Sequence, residues 1–123
     1  MKDLGTLVLT GESGQSYTFK IYGYDTMASI DDAVKDFAKA GLYVFANKHS
    51  RPNDNRNWFR VNYIGETEDY SKRDYSNHHK KDSIESENSN TWGYCVLTVS
   101  AQKRKDIEAD LIAKYNPPCN DKL

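Results

Sequence analysis

The sequence predicts a small α+β domain: a three-stranded, mostly antiparallel central sheet with helices on its faces, extended by an N-terminal β-hairpin and helix. Three observations predict it. Residues 41–46, 58–64 and 91–100 carry the apolar and aromatic density of core strands. Residues 30–38 and 107–115 instead space their apolar side chains at a helical period. Gly11, Gly14 and their polar neighbours supply turn chemistry between two extended runs, 6–10 and 16–22.

Taken in order, those two runs form the hairpin, with Tyr17, Phe19 and Ile21 on one side of the second strand and Thr18 and Lys20 on the other. Ser29, three residues before Asp32, gives a capping signal for a helix. Ile30, Ala33, Val34, Phe37 and Ala38 form its apolar stripe, and Gly41 ends it. Residues 41–46 and 58–64 then pair antiparallel across a long polar loop, 47–57, that contains Pro52 and several Asn and Asp residues. Past Gly65, Thr67 caps a helix whose first turn carries Glu68 and Asp69, where the helix dipole favours negative charge. Residues 82–90 are polar and expected as loop with at most one helical turn, and 91–100 are the third core strand. Residues 101–115 form the clearest helix, with Ile107, Leu111, Ile112 and Tyr115 on one face, stopped by Asn116-Pro117-Pro118.

With 123 residues the chain has room for one hydrophobic core. Its 37% hydrophobic and 28% charged residues are a globular composition rather than a disordered one. No apolar run approaches the roughly 20 residues of a membrane-spanning helix, and the N-terminal Leu7-Val8-Leu9 is shorter than a secretory apolar region, so a cytoplasmic location is expected. The two cysteines, Cys95 and Cys119, have neither zinc-site nor redox-motif spacing and are expected as thiols. Net charge is −1, so overall charge does not advertise a nucleic-acid binder. The charges are nonetheless clustered: Lys48, Arg51, Arg56 and Arg60 precede Tyr63, and Lys72, Arg73, Lys80 and Lys81 follow it.

The order of these elements and their side chains resembles the GIY-YIG nuclease domain. Gly41-Leu42-Tyr43 stands for the first motif and Tyr63-Ile64-Gly65 for the second, with Thr67 and Arg73 following at the family's positions. Ile107-Glu108 with Leu111-Ile112, then Tyr115 to Asn120, is similar to the family's closing helix and its asparagine. The match runs from Gly41 to Asn120, which divides the chain into an N-terminal extension, 1–40, packed on a nuclease-like domain, 41–123.

The resemblance implies a metal-dependent endonuclease, a small stand-alone member of the family, that hydrolyses DNA phosphodiester bonds by a single-metal mechanism. It implies that Tyr43 activates the attacking water, that Tyr63 positions water or phosphate, and that Asn120, with Gly41, Gly65 and Thr67, supports the site. The chemistry of the side chains agrees. Glu108 offers the carboxylate oxygens that Mg²⁺ or Mn²⁺ prefers, and Arg73 a planar fork of donors matched to phosphate oxygens. The plain alternative for Glu108 is a surface pair with Arg104 one turn earlier, worth at most about 0.5 kcal/mol. Arg51, Arg56, Arg60, Lys72 and Lys80 are the candidate DNA-backbone contacts.

Two departures from the family stand out. The loop between the first two core strands is long and bears His49, Arg51 and Arg56. His78, a candidate acid/base residue, follows Arg73 by five residues where the family often has four, and in a regular helix that rotates it roughly 140° away. His79 is expected as a helix-end residue. Two other classes of function compete with the enzyme: a non-catalytic nucleic-acid-binding module that keeps the fold, and a protein-interaction domain in which residues 1–40 dock a partner or a second copy.

Overall fold

A computed structural model describes residues 1–51 and 54–121, without the side chains of residues 49–51 and 54–57. The elements are β1 (Lys2–Thr10), β2 (Ser16–Gly23), α1 (Met27–Val34), β3 (Gly41–Arg51), β4 (Asp54–Thr67), two 3-10 turns (Tyr70–Lys72 and Tyr75–Asn77), α2 (Lys81–Ser86), β5 (Thr91–Val96) and α3 (Ala101–Tyr115). The class is α+β. The sheet, however, has five strands in the order β1-β2-β5-β3-β4, every neighbouring pair antiparallel, and not three. The N-terminal hairpin continues the sheet, because β2 pairs with β5 from Lys20↔Tyr94 to Gly23↔Thr91. That pairing satisfies the backbone groups along the outer side of β5 and lets Phe19 and Ile21 sink fully into the core.

Side-chain alternation sends the sheet's residues into two cores. Tyr43, Phe45, Tyr63 and Trp92 meet Ile30, Val34, Tyr70, Tyr75 and Ile84 under α1, the 3-10 turns and α2. Leu42, Val44, Val61 and Ile64 meet Ile107 and Leu111 of α3, joined by Leu9, Phe19 and Ile21. In β4 the alternation is broken on purpose: Phe45 pairs with Tyr63 but Ala46 with Val61, so Asn62 is the extra residue of a bulge. The bulge lets Val61 and Ile64 face α3 while Tyr63 faces the other way. Asn62 is fully buried there, its Nδ2 donating to Ser89 Oγ at 2.7 Å and to Asn47 Oδ1, and its carbonyl accepting the Cys119 N–H.

Several local expectations change. The cap of α1 is Thr26, whose Oγ1 accepts the Ser29 N–H at 3.3 Å, so Ser29 lies inside the first turn. The helix stops at Val34, well before Gly41, and Phe37 leaves it to stack on Tyr70 and meet Tyr94 edge-on. The polar stretch 47–57 is largely strand: β3 and β4 stay paired out to Arg51↔Asp54, with a register shift after Ser50, because pairing supplies backbone partners whatever the side chains are.

The helix expected directly after Gly65, from Thr67, is replaced by the two 3-10 turns. Thr67 ends β4 and its hydroxyl both accepts the Asp69 N–H and donates to the Asp69 carbonyl; Asp69 then caps the first 3-10 turn through Ser71. Short polar side chains bonding their own backbone compete with helix formation, and here they win. Residues 81–86 form α2, and β5 ends at Val96 instead of reaching Ser100, which caps α3. Helix α3 spans the predicted range and stops at Asn116, where a φ of 43° turns the chain and its N–H still reaches Ile112 O at 2.8 Å.

Candidate functional site

The predicted site residues come from five separate places and meet across β4, an edge strand. Tyr43 lies on β3 opposite Gly65 and is fully buried. A Cβ at Gly65 would sit 2.3 Å from Tyr43 Cζ, so glycine is required there for the ring to pass beneath β4. Gly41 is equally constrained, since its Cβ would lie 2.1 Å from the Cys95 carbonyl oxygen.

Arg73 stands between the two 3-10 turns, and its Nη2 donates to Tyr43 Oη at 2.8 Å while the guanidinium lies over the Tyr43 ring, 5.4 Å from its centre. His78 follows the second turn and places Nε2 2.7 Å from the same oxygen. The helical geometry that would have separated His78 from Arg73 is absent, and the turns bring both onto Tyr43. Tyr63 packs on Tyr43 with ring centres 5.9 Å apart, on His78 at 4.9 Å and on His79 at 6.1 Å.

Glu108 arrives from the opposite face of the sheet. Helix α3 carries it to the free edge of β4, where the Glu66 backbone N–H is directed at its carboxylate. Burial, then the Glu66 carboxylate, raises the Glu108 pKa, opposed by Arg73 and Lys105. Arg104 does not pair with Glu108: its Nε lies 3.6 Å from Glu66 Oε2 in a nearly dry ion pair. Neither of those two atoms has a hydrogen-bond partner. A groove lined by Glu66, Thr67, Glu68, Asp69, Lys72 and Arg73 opens beside this cluster.

Burial dominates the electrostatics of the rest. It pushes the Tyr43 pKa far up, against the pull of Arg73, and raises that of Tyr63 against the hydrogen bond from Tyr43. Burial also works against the Arg73 cation, but the facing Tyr43, Tyr63 and Tyr75 oxygens outweigh it and hold its pKa above the ordinary value. His78 is lowered from 6.5 to about 4, first by burial and then by His79 and Arg73. Between those values the unfolded chain binds the proton and the folded chain does not. Stability should therefore fall as pH drops from about 6.5 toward 4, and thermal melts across that range should show a smaller fall in His78→Gln.

The supporting residues have defined contacts. Asn120 Oδ1 accepts the Ile64 N–H and its Nδ2 donates to the Ile64 carbonyl, both at 2.9 Å, so one side chain replaces the missing neighbour of the edge strand next to Tyr63. Asn120→Ala is expected to cost about 1–3 kcal/mol, read from urea denaturation, because two partly buried backbone groups lose their partners.

Of the candidate DNA contacts, Lys72 is exposed at the groove, Arg60 lies 3.5 Å from Glu87, and Lys80 pairs with Asp121. The side chains of Arg51 and Arg56, with His49, lie outside the described residues. Sequence reasoning missed Asp31, whose carboxylate accepts from the Tyr75 and Ser76 N–H groups at 2.7 and 3.1 Å and so anchors the second turn to α1. It also missed Glu66, and it offered Arg104 to Glu108 where the fold gives it to Glu66. The signal for Glu66 was present but weak: it directly follows Gly65.

No helix among the described residues is long and apolar enough to cross a membrane. No family model matches the sequence, and neither a curated protein nor a solved structure matches it.

Proposed function

We propose that the protein is a metal-dependent endonuclease that hydrolyses phosphodiester bonds in DNA. The observation that carries this reading is the convergence of Arg73 and His78 on Tyr43, beside Tyr63, with Glu108 brought over the β4 edge. Phosphodiester hydrolysis needs an activated water, positive charge at the phosphorus-bound oxygens and assistance to the leaving oxygen. Arg73 would supply fixed charge, its guanidinium held by the bond to Tyr43 Oη. A tyrosine oxygen of the same cluster would take the proton of the water.

The donor chemistry fits a hard divalent cation such as Mg²⁺ or Mn²⁺. Glu108 and its neighbour Glu66 offer only carboxylate oxygen, and the raised Glu108 pKa marks a place where added positive charge is favourable. Among the described residues no group of three or more His, Cys, Asp or Glu side chains could hold an ion. Glu108 would therefore hold it with water and substrate oxygens completing the shell. When bound, such an ion would neutralise charge on the phosphate and leaving oxygen.

The test is incubation of the pure protein with supercoiled, branched and single-stranded DNA and with RNA, in Mg²⁺, Mn²⁺ or EDTA. Metal-dependent nicking or cutting of DNA is expected. Binding without cleavage under every condition would instead favour a non-catalytic module.

A further inference from the structure

We infer that His78 is a hydrogen-bond donor to Tyr43, and that this arrangement makes Tyr63, rather than Tyr43, the oxygen that activates water. The inference rests on the nuclease reading, and it assigns the two tyrosines the reverse of the roles that the family resemblance implies.

The backbone N–H of Lys80 donates to His78 Nδ1 at 3.0 Å. A backbone N–H cannot accept, so Nδ1 carries a lone pair, and a neutral ring with a bare Nδ1 holds its proton on Nε2. The low pKa, about 4, agrees with a neutral ring. The 2.7 Å contact to Tyr43 is then Nε2–H donating to Oη. His78 cannot at the same time receive the Tyr43 proton.

Arg73 closes the argument. Its guanidinium has donors only, and Nη2 gives one to the same Tyr43 oxygen at 2.8 Å. Two donors occupy both acceptor positions of Oη, so the tyrosine's own O–H must point to a third partner. The Tyr63 ring packs on Tyr43, centres 5.9 Å apart, and against the rise that burial imposes the Tyr43 hydroxyl draws the Tyr63 pKa down, as a donor does. Tyr43, at 0% exposure, is sealed from water, whereas Tyr63 keeps 7%. Tyr43 is thus a proton-holding link that donates to Tyr63, and His78 a positioning residue that fixes the direction of the chain.

The chemical step follows. The water oxygen forms a bond to phosphorus as the water's proton passes to Tyr63 Oη, and Tyr63 releases its own proton to bulk solvent. The bond from phosphorus to the leaving oxygen breaks, that oxygen keeps the electron pair, and it takes a proton from solvent. Tyr43 keeps its proton throughout.

Two measurements on the full chain test this. Long-range ¹H–¹⁵N correlation spectra at neutral pH should show His78 as the Nε2–H tautomer; an Nδ1–H tautomer or an imidazolium overturns the donor assignment whether or not the protein cuts DNA. In cleavage assays Tyr63→Phe should lower kcat by roughly 10²-fold or more, as loss of a proton acceptor does, and Tyr43→Phe by only about tenfold. His78→Gln, whose amide N–H can still donate to Oη, should recover most of the kcat that His78→Ala loses, with KM little changed. A Gln variant as impaired as Ala, or a Tyr43→Phe loss larger than that of Tyr63→Phe, overturns the role assignment. Absence of cleavage by the wild-type chain overturns the nuclease reading and the step built on it, while the tautomer still decides the direction of the hydrogen bonds.

Discussion

Arg73→Ala is expected to reduce DNA cleavage by roughly 10²–10³-fold, the usual consequence of removing one preorganised donor from a site of developing negative charge. The expected loss lies at the upper end of that range because Arg73 serves two partners. In the proposed reaction it offers charge to the phosphate, and it donates to Tyr43 Oη at 2.8 Å, so its removal frees the Tyr43 proton from its imposed direction. Arg73→Lys should rescue little. A lysine is a point charge without the planar fork, and it could not both lie over the Tyr43 ring and reach its oxygen. The measurement is single-turnover cleavage with saturating enzyme, beside a DNA-binding titration. Cleavage unchanged in Arg73→Ala would mean that the activity belongs to another protein in the preparation.

Glu108→Gln is expected to abolish cleavage in Mg²⁺ to the level of wild type in EDTA, because the amide has no charge to hold the ion. Stability should move the other way. The folded-state pKa of Glu108 is raised by burial and by Glu66, so the folded chain binds the proton more readily than the unfolded one. Its contribution to stability therefore declines as pH rises above the ordinary carboxylate value near 4.5, and at neutral pH the buried charge is a cost. A glutamine keeps the shape and removes that cost. Melting temperature at neutral pH should be equal to or above that of wild type, and Mg²⁺ should raise the melting temperature of wild type but not of the variant. A destabilised Glu108→Gln would show that the carboxylate serves the fold through contacts that this picture omits.

The buried pair of Glu66 and Arg104 gives the site a second layer. Arg104 lies one turn before Glu108 and is only 7% exposed, while Glu66 follows Gly65 on the strand that carries Tyr63. The pair ties α3 to β4 at the place where Glu108 must cross the sheet edge. Such a pair contributes position more readily than net stability, since the desolvation of both charges offsets much of their attraction.

What was legible in the sequence was local. Period-2 alternation marked the hairpin, apolar and aromatic density marked the three core strands, and helical periodicity stopped by Asn116-Pro117-Pro118 marked α3, because those signals depend on neighbours a few residues away. Tyr43, Tyr63, Arg73, Glu108 and Asn120 were picked out by a resemblance in the order of residue types along the chain, and the fold brings Tyr43, Tyr63 and Arg73 into contact or close approach.

Three things were decided only by tertiary structure. The hairpin joined the sheet because β5 offered an open edge to Lys20–Gly23, a pairing with partners some 70 residues apart that no local pattern encodes. The segment around Arg73 became two 3-10 turns because Thr67 and Asp69 bond their own backbone and Asp31 of α1 captures Tyr75 and Ser76. That choice delivers His78 to Tyr43, where a helix would have turned it away. Finally, the direction of the hydrogen bonds through Tyr43 follows from one backbone N–H at Lys80, a contact visible only once the chain has folded around it.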